Sequence, residues 1–205
     1  MTSVREQFYG FSALNVSADS VAMPLGRLLQ KYGPLKRAEF NSFEESVRYL
    51  VPIKSFPTRY IILGLDGWSF LLTDSRGENC NVEAYAVSRA TKCNAMGVNL
   101  RDEQREIQVY EAGMAIREVQ SLFDLDRWYY REAGPVQWFE DPDDGHRRRK
   151  SDRLKVDIIQ RYFKKYTGLD IPNWNEAKFI RIIGLERSVR ELQVPLVEFP
   201  TELDF

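Results

Sequence analysis

The chain has 205 residues, of which 43% are hydrophobic, 13% aromatic and 29% charged, and its 29 basic residues nearly balance its 30 acidic ones. That composition is of a globular protein with a sizeable core, and it excludes both a nucleic-acid polycation and a disordered acidic tail. No apolar run approaches the ~18 residues of a membrane-spanning helix, and the start Met1 to Gln7 carries no secretory apolar region, so a cytoplasmic location is expected.

Two cysteines, Cys80 and Cys93, belong to no CxxC pair and are expected as reduced core thiols. His146 is the single histidine. That excludes multi-histidine zinc, copper or iron sites and leaves a nucleophilic Ser-His or Cys-His device dependent on one residue in a charged segment.

In chain order, residues 5–15 alternate around Phe8, Phe11 and Leu14 as an opening strand or extended cover. Ser17 or Asp19 caps a helix with Leu25, Leu28 and Leu29 on its apolar face; Pro24 lies in its first turns or divides it, and Gly33-Pro34 ends it. Leu35 to Phe40 reads as a strand, and Ser42 before Glu44-Glu45 opens a helix carrying Val47, Tyr49 and Leu50. Thr58 to Asp74 holds two apolar arms meeting at Asp66-Gly67, which reads as a β-hairpin at the centre of the sheet with layers on both faces.

Val82, Ala86 and Ala90 have helical spacing. Residues 95–100, 106–111, 115–123 and 127–131 read as strands of an antiparallel meander, with a turn at Asp124-Leu125-Asp126. In 115–123 the alternation is imperfect, Arg117, Glu118 and Gln120 mixing with Ile116, Val119, Leu122 and Phe123. Val136 to Phe139 reads as an aromatic-ended strand or extended segment. Ser151 or Asp152 caps a helix with Leu154, Ile158, Ile159, Tyr162, Phe163 and Tyr166 as its stripe and Gly168 at its end. Residues 177–185 form a last strand before an irregular, proline-punctuated tail. The expected architecture is therefore a single α+β domain over residues 1–205, a mainly antiparallel sheet with a central hairpin and three to four flanking helices.

The residues Arg127, Trp128, Tyr130 and Gly134, then Phe139, Glu140 and Asp141, then Arg148, Arg149, Arg153, Leu154 and Tyr162, form a pattern R-W-x-[FY]-x-x-x-G, F-E-D, basic residues and an amphipathic helix. In this the chain resembles an uncharacterised bacterial α+β family. The hairpin with Trp68 and the glycine turn at Gly77 are similar to an earlier part of that pattern. The resemblance implies a compact α+β fold and bacterial origin; it brings no activity, cofactor or catalytic residue.

Four carboxylates in Glu140-Asp141-Pro142-Asp143-Asp144 raise the question of a hard cation. Counted from Asp141, however, the glycine falls fifth instead of sixth, arginines occupy the seventh to ninth positions and Asp152 replaces the bidentate Glu, so an exposed acidic turn is the better reading. The basic run 146–150 follows its own acids and is read as a solvated turn, not a nucleic-acid site, since no stacking platform or basic stripe continues it. Of the four tryptophans, Trp68 and Trp128 are expected in the core, with Trp138 and Trp174 open between core and surface.

No phosphate loop, nucleophile elbow, HExxH or kinase signature is present. No catalytic, cofactor-binding or metal-binding residue is therefore assigned. The reading that follows is a protein-binding protein, an immunity-type protein occluding the active site of a cognate toxin, with Trp138, Phe139, Glu140, Asp141, Arg147, Arg148 and Arg149 as contacts. The alternatives are a metal-dependent hydrolase or nuclease-like enzyme using carboxylates such as Asp66, Asp74 and Glu78, and a nucleic-acid-associated defence factor.

Overall fold

The computed structural model describes residues 10–47, 59–73, 80–185 and 197–198. The strands are β1 (Gly10–Leu14), β2 (Leu35–Glu39), β3 (Arg59–Leu65), β4 (Trp68–Thr73), β5 (Asn94–Leu100), β6 (Gln104–Glu111), β7 (Met114–Asp124), β8 (Arg127–Ala133), β9 (Phe179–Leu185) and β10 (Val197–Glu198). They form one sheet in the order β10-β2-β9-β3-β4-β1-β5-β6-β7-β8, with every pairing antiparallel. Three tight hairpins set its registers: Asp66-Gly67, Ala112-Gly113 and Leu125-Asp126 each put both central residues at positive φ, as a type I′ turn requires.

The helices are α1 (Ala18–Gln30), α2 (Phe43–Val47), α3 (Asn81–Thr91), α4 (Pro142–Gly145) and α5 (Val156–Thr167), so two of the five are about a single turn long. α1 and α3 cover one face of the sheet, where Val21, Leu25, Ala84 and Val87 pack on Tyr60, Ile62, Leu71 and Ala95. α2 and α5 cover the other, where Ile158, Ile159 and Phe163 pack on Phe11, Ile61, Leu63, Phe70 and Met96. Burial on both faces explains the nearly unbroken apolar arms of the central hairpin, since both sides of β4 and of β3 up to Leu63 are buried. On the α5 face Trp174 closes an aromatic cluster, edge-on to Phe11 and Phe70 with ring centroids 5.3 and 5.5 Å away.

Several expectations need correction. α1 continues past Pro24 undivided. Tyr49, Leu50, Asp74, Glu78 and most of the tail lie outside the described residues. α3 does not bury the Val82, Ala86 and Ala90 face: Val82 and Ala90 are exposed, while Glu83, Ala84, Val87 and Ser88 are buried. Polar anchors decide the rotation. Tyr60 Oη donates to Glu83 Oε1 at 2.6 Å; Ser88 Oγ donates to the Cys93 carbonyl at 2.6 Å and accepts from the Gly113 amide at 2.8 Å. α5 begins at Val156, not at Ser151 or Asp152, because Lys150–Asp152 is a separate 3-10 turn. Residues 136–139 form no strand: they are irregular and turn back, with the Glu140 amide donating to the Gln137 carbonyl at 3.0 Å. Cys80 and Cys93 are buried thiols outside any disulfide, and burial pushes the Cys93 thiol pKa up.

Candidate functional site

Residues 117–162 hold two neighbouring buried ion-pair knots, around Arg117 and around Asp144, and a bulge places the first of them. β6 and β7 slip register between Val109 and Tyr110, which pair with Arg117 and Ala115 and leave Ile116 as the extra residue. The bulge resets the alternation of β7, so that Arg117, Val119 and Ser121 turn inward. An arginine thereby occupies a core position.

The Arg117 side chain is only 2% exposed. Its Nε and Nη2 donate to Glu140 Oε1 and Oε2, both at 2.8 Å, in a bidentate fork; Nη2 also donates to Glu132 Oε2 at 2.7 Å, and Nη1 to the Gly134 carbonyl at 2.8 Å. Burial disfavours the charge, but the bonds and charges of Glu140 and Glu132 outweigh it and hold the guanidinium pKa above its usual value. Glu140 Oε1 accepts in addition from the Gln137 amide at 3.0 Å. One guanidinium thus ties down three points of the chain between 132 and 140. Gly134, at φ +80°, permits this approach: a Cβ there would stand 2.1 Å from the Ile116 carbonyl oxygen.

A second knot lies beside the first. Asp144 is 2% exposed although Asp141 and Asp143 beside it face solvent. Oδ1 accepts from Arg147 Nε and Nη2 at 3.0 and 2.6 Å, and Oδ2 from the Tyr162 hydroxyl at 2.8 Å and from Arg161. Burial raises the carboxyl pKa, but Tyr162, Arg147 and Arg161 overcome it, and the net shift is below the usual carboxylate value. Burial together with the bond to Asp144 pushes the Tyr162 hydroxyl pKa up. Asp141 caps α4, its Oδ1 accepting from the Asp143 amide at 3.1 Å.

Between the two knots sits a cavity of about 50 Å³ lined by Tyr130, Glu132, Glu140, Asp141, His146 and Arg153 among others. The Arg153 guanidinium stacks over the Tyr130 ring, 5.2 Å from its centroid. Burial, then the charge of Glu132, pushes the Tyr130 hydroxyl pKa up to about 12, so at neutral pH it remains a neutral donor. The cavity has room for water-sized guests only.

Of the expected contacts, Trp138 is 72% exposed, and Asp141, Arg147, Arg148 and Arg149 also face solvent. Arg147 is at the same time committed to Asp144. Phe139 and Glu140 are not surface groups. Phe139 is 1% exposed, its ring edge-on to Tyr162 and Tyr166 with centroids 6.0 and 5.3 Å away, and Glu140 is the partner of Arg117. The acidic run is accordingly not a wholly exposed turn. Trp174 is in the core. Sequence reasoning missed Arg117, Glu132 and Asp144; the imperfect alternation of 115–123 was the one sign of the first.

Among the described residues no group of three or more His, Cys, Asp or Glu side chains is placed to hold a metal ion, and no helix is long and apolar enough to cross a membrane. No family model, no curated protein and no solved structure matches the chain.

Proposed function

We propose that the protein is a protein-binding module with Trp138 as its anchor: a cytoplasmic, bacterial, immunity-type protein that neutralises a toxin by covering its active site. The observation that carries this reading is an indole 72% exposed on a segment fixed on both sides: before it by the Gln137 amide bond to Glu140, and after it by the buried Phe139 and the Arg117 fork to Glu140. An exposed tryptophan on a loose loop would lose much freedom on docking. One held in place loses little, so its apolar area converts more fully into affinity. Val136, also exposed, extends the apolar patch, and Asp141, Asp143, Arg148 and Arg149 supply charges of both signs around it, as in the polar rim of a specific interface.

The test is affinity capture of the tagged chain and its Trp138→Ala variant from lysate of the source organism at moderate salt, with mass spectrometry of what is retained. A stoichiometric protein held by the wild type, lost by the variant, and inhibited when the wild type is added back to it supports the reading. Retention of nothing, or of the same partner by both chains, removes Trp138 as anchor.

A further inference from the structure

The ten-stranded sheet ends in two different edges. β10 is two residues long, and so short an edge offers little to pair with. β8, at the other end, is seven residues long and contains no proline, and its register with β7 runs without a bulge from Asp124 opposite Arg127 to Glu118 opposite Ala133. Its sequence, Arg-Trp-Tyr-Tyr-Arg-Glu-Ala, carries three consecutive aromatics of high strand propensity.

The hairpin turn determines which backbone groups of β8 are available. In a two-residue hairpin the pair flanking the turn, here Asp124 and Arg127, bonds mutually, and the bonding direction alternates from there. Arg127, Tyr129 and Arg131 therefore bond to β7, and Trp128, Tyr130 and Glu132 direct their N–H and C=O groups outward. Among the described residues, no backbone hydrogen bond from another segment reaches these outward groups.

We propose that β8 pairs antiparallel with β8 of a second copy of this chain, about a two-fold axis through Tyr130, joining two sheets into one. The sequence of the edge is compatible with itself in one register, and that self-compatibility points to a second copy as the occupant. A two-fold perpendicular to the sheet keeps like faces together, so only registers centred on a residue are allowed. Centring on Tyr129 sets Arg127 against Arg131, centring on Arg131 sets that arginine against itself, and centring on Glu132 does the same with a carboxylate; like charges directly opposite disfavour pairing. Centring on Trp128 brings no like charges together but runs into the hairpin turn at Asp126 and leaves Glu132 unengaged. Centring on Tyr130 opposes Trp128 to Glu132 and Tyr129 to Arg131, with no like charges facing, and it engages all the outward backbone groups from Trp128 to Glu132. Arg131, whose guanidinium already meets Glu118 at 2.6 Å, then lies beside the Tyr129 ring of the second copy.

The experiment is sedimentation equilibrium of the full chain from roughly 1 to 500 µM, a range that brackets weak and moderate self-association. The wild type is compared with Tyr129→Arg and Tyr129→Glu, with circular dichroism to establish that each is folded. The wild type is expected to show a monomer–dimer equilibrium. Tyr129→Arg places a like charge against Arg131 twice per dimer and raises the dissociation constant roughly tenfold, whereas Tyr129→Glu places an opposite charge there and lowers it. A wild-type chain monomeric throughout, a dimer indifferent to both changes, or a dimer that both changes weaken overturns the proposal.

Discussion

Arg117→Met removes the guanidinium and keeps an unbranched side chain of similar reach in its place. Of its four bonds, the one to Glu132 has little weight, since that carboxylate is 42% exposed and can turn to water. The bond to the Gly134 carbonyl counts as an ordinary one made by a charged donor, about 1.5–3 kcal/mol. The decisive loss is the fork to Glu140, whose side chain is 6% exposed and would be left as a buried carboxylate with only the Gln137 amide as partner. Removing one member of a buried pair costs about 3–5 kcal/mol, chiefly through the stranded charge. We expect Arg117→Met to be destabilised by about that amount, roughly 10 °C in melting temperature for a chain of this size. The double variant Arg117→Met, Glu140→Gln should recover much of the loss, because the glutamine still accepts from the Gln137 amide and strands no charge. Urea unfolding followed by circular dichroism reads the stabilities, and amide hydrogen exchange over 134–141 reads the local release. A single variant within about 1 kcal/mol of wild type, or unchanged exchange across that segment, would refute the clamp.

Three further changes test neighbouring parts of the argument. Phe139→Ala should destabilise by about 3–5 kcal/mol in urea, whereas Trp138→Ala should leave unfolding within about 0.5 kcal/mol of wild type, because only the first ring is packed in the core. Gly134→Ala should be poorly folded or strongly destabilised in a thermal melt, since its Cβ would lie 2.1 Å from the Ile116 carbonyl oxygen and φ is +80°. Asp144 has a depressed folded pKa, so its contribution to stability is complete above its unfolded pKa of about 3.9 and is lost as pH falls through the folded value. In pH-dependent urea titrations Asp144→Asn should be less stable than wild type at pH 7, and the difference should shrink below pH 4; an undiminished difference at pH 2 would show that the ionised carboxylate is not what matters.

The parts of this fold that were legible in sequence are those whose signal is local. Asp66-Gly67 announces its hairpin because glycine and aspartate tolerate positive φ, and the apolar arms on either side declare burial on two faces. Ala112 reaches the same backbone region without any such announcement; only the gap between the strands read at 106–111 and 115–123 implied a connection there. Leu125 is still less suited to φ +48°, yet its aspartate neighbours marked that turn. The face of α3 was misread for a related reason. Apolar spacing assigns outward positions to Glu83 and Ser88, but both find hydrogen-bond partners inside, and a satisfied polar group is no bar to burial.

The candidate site lay further out of reach, because its pairs are closed by topology and not by spacing. Arg117 and Glu140 are on different segments, brought together only once β8 has returned along β7 and the chain has turned over its face at Gly134. Read along the sequence, the carboxylates of 140–144 look like one cluster that could gather around a cation. In the fold they diverge: Glu140 reaches down to Arg117, Asp141 back to its own helix start, and Asp144 across to Arg161 and Tyr162. Those three charges are each taken by a cation or an amide of the chain itself, while Asp143 faces solvent. The run therefore serves to anchor the segment on either side of it, and the largest side chain it leaves standing in solvent over most of its surface is the indole of Trp138. Rigid support for an exposed aromatic is what separates a docking surface from an accident of composition, and that support is removed selectively by Arg117→Met and left intact by Trp138→Ala.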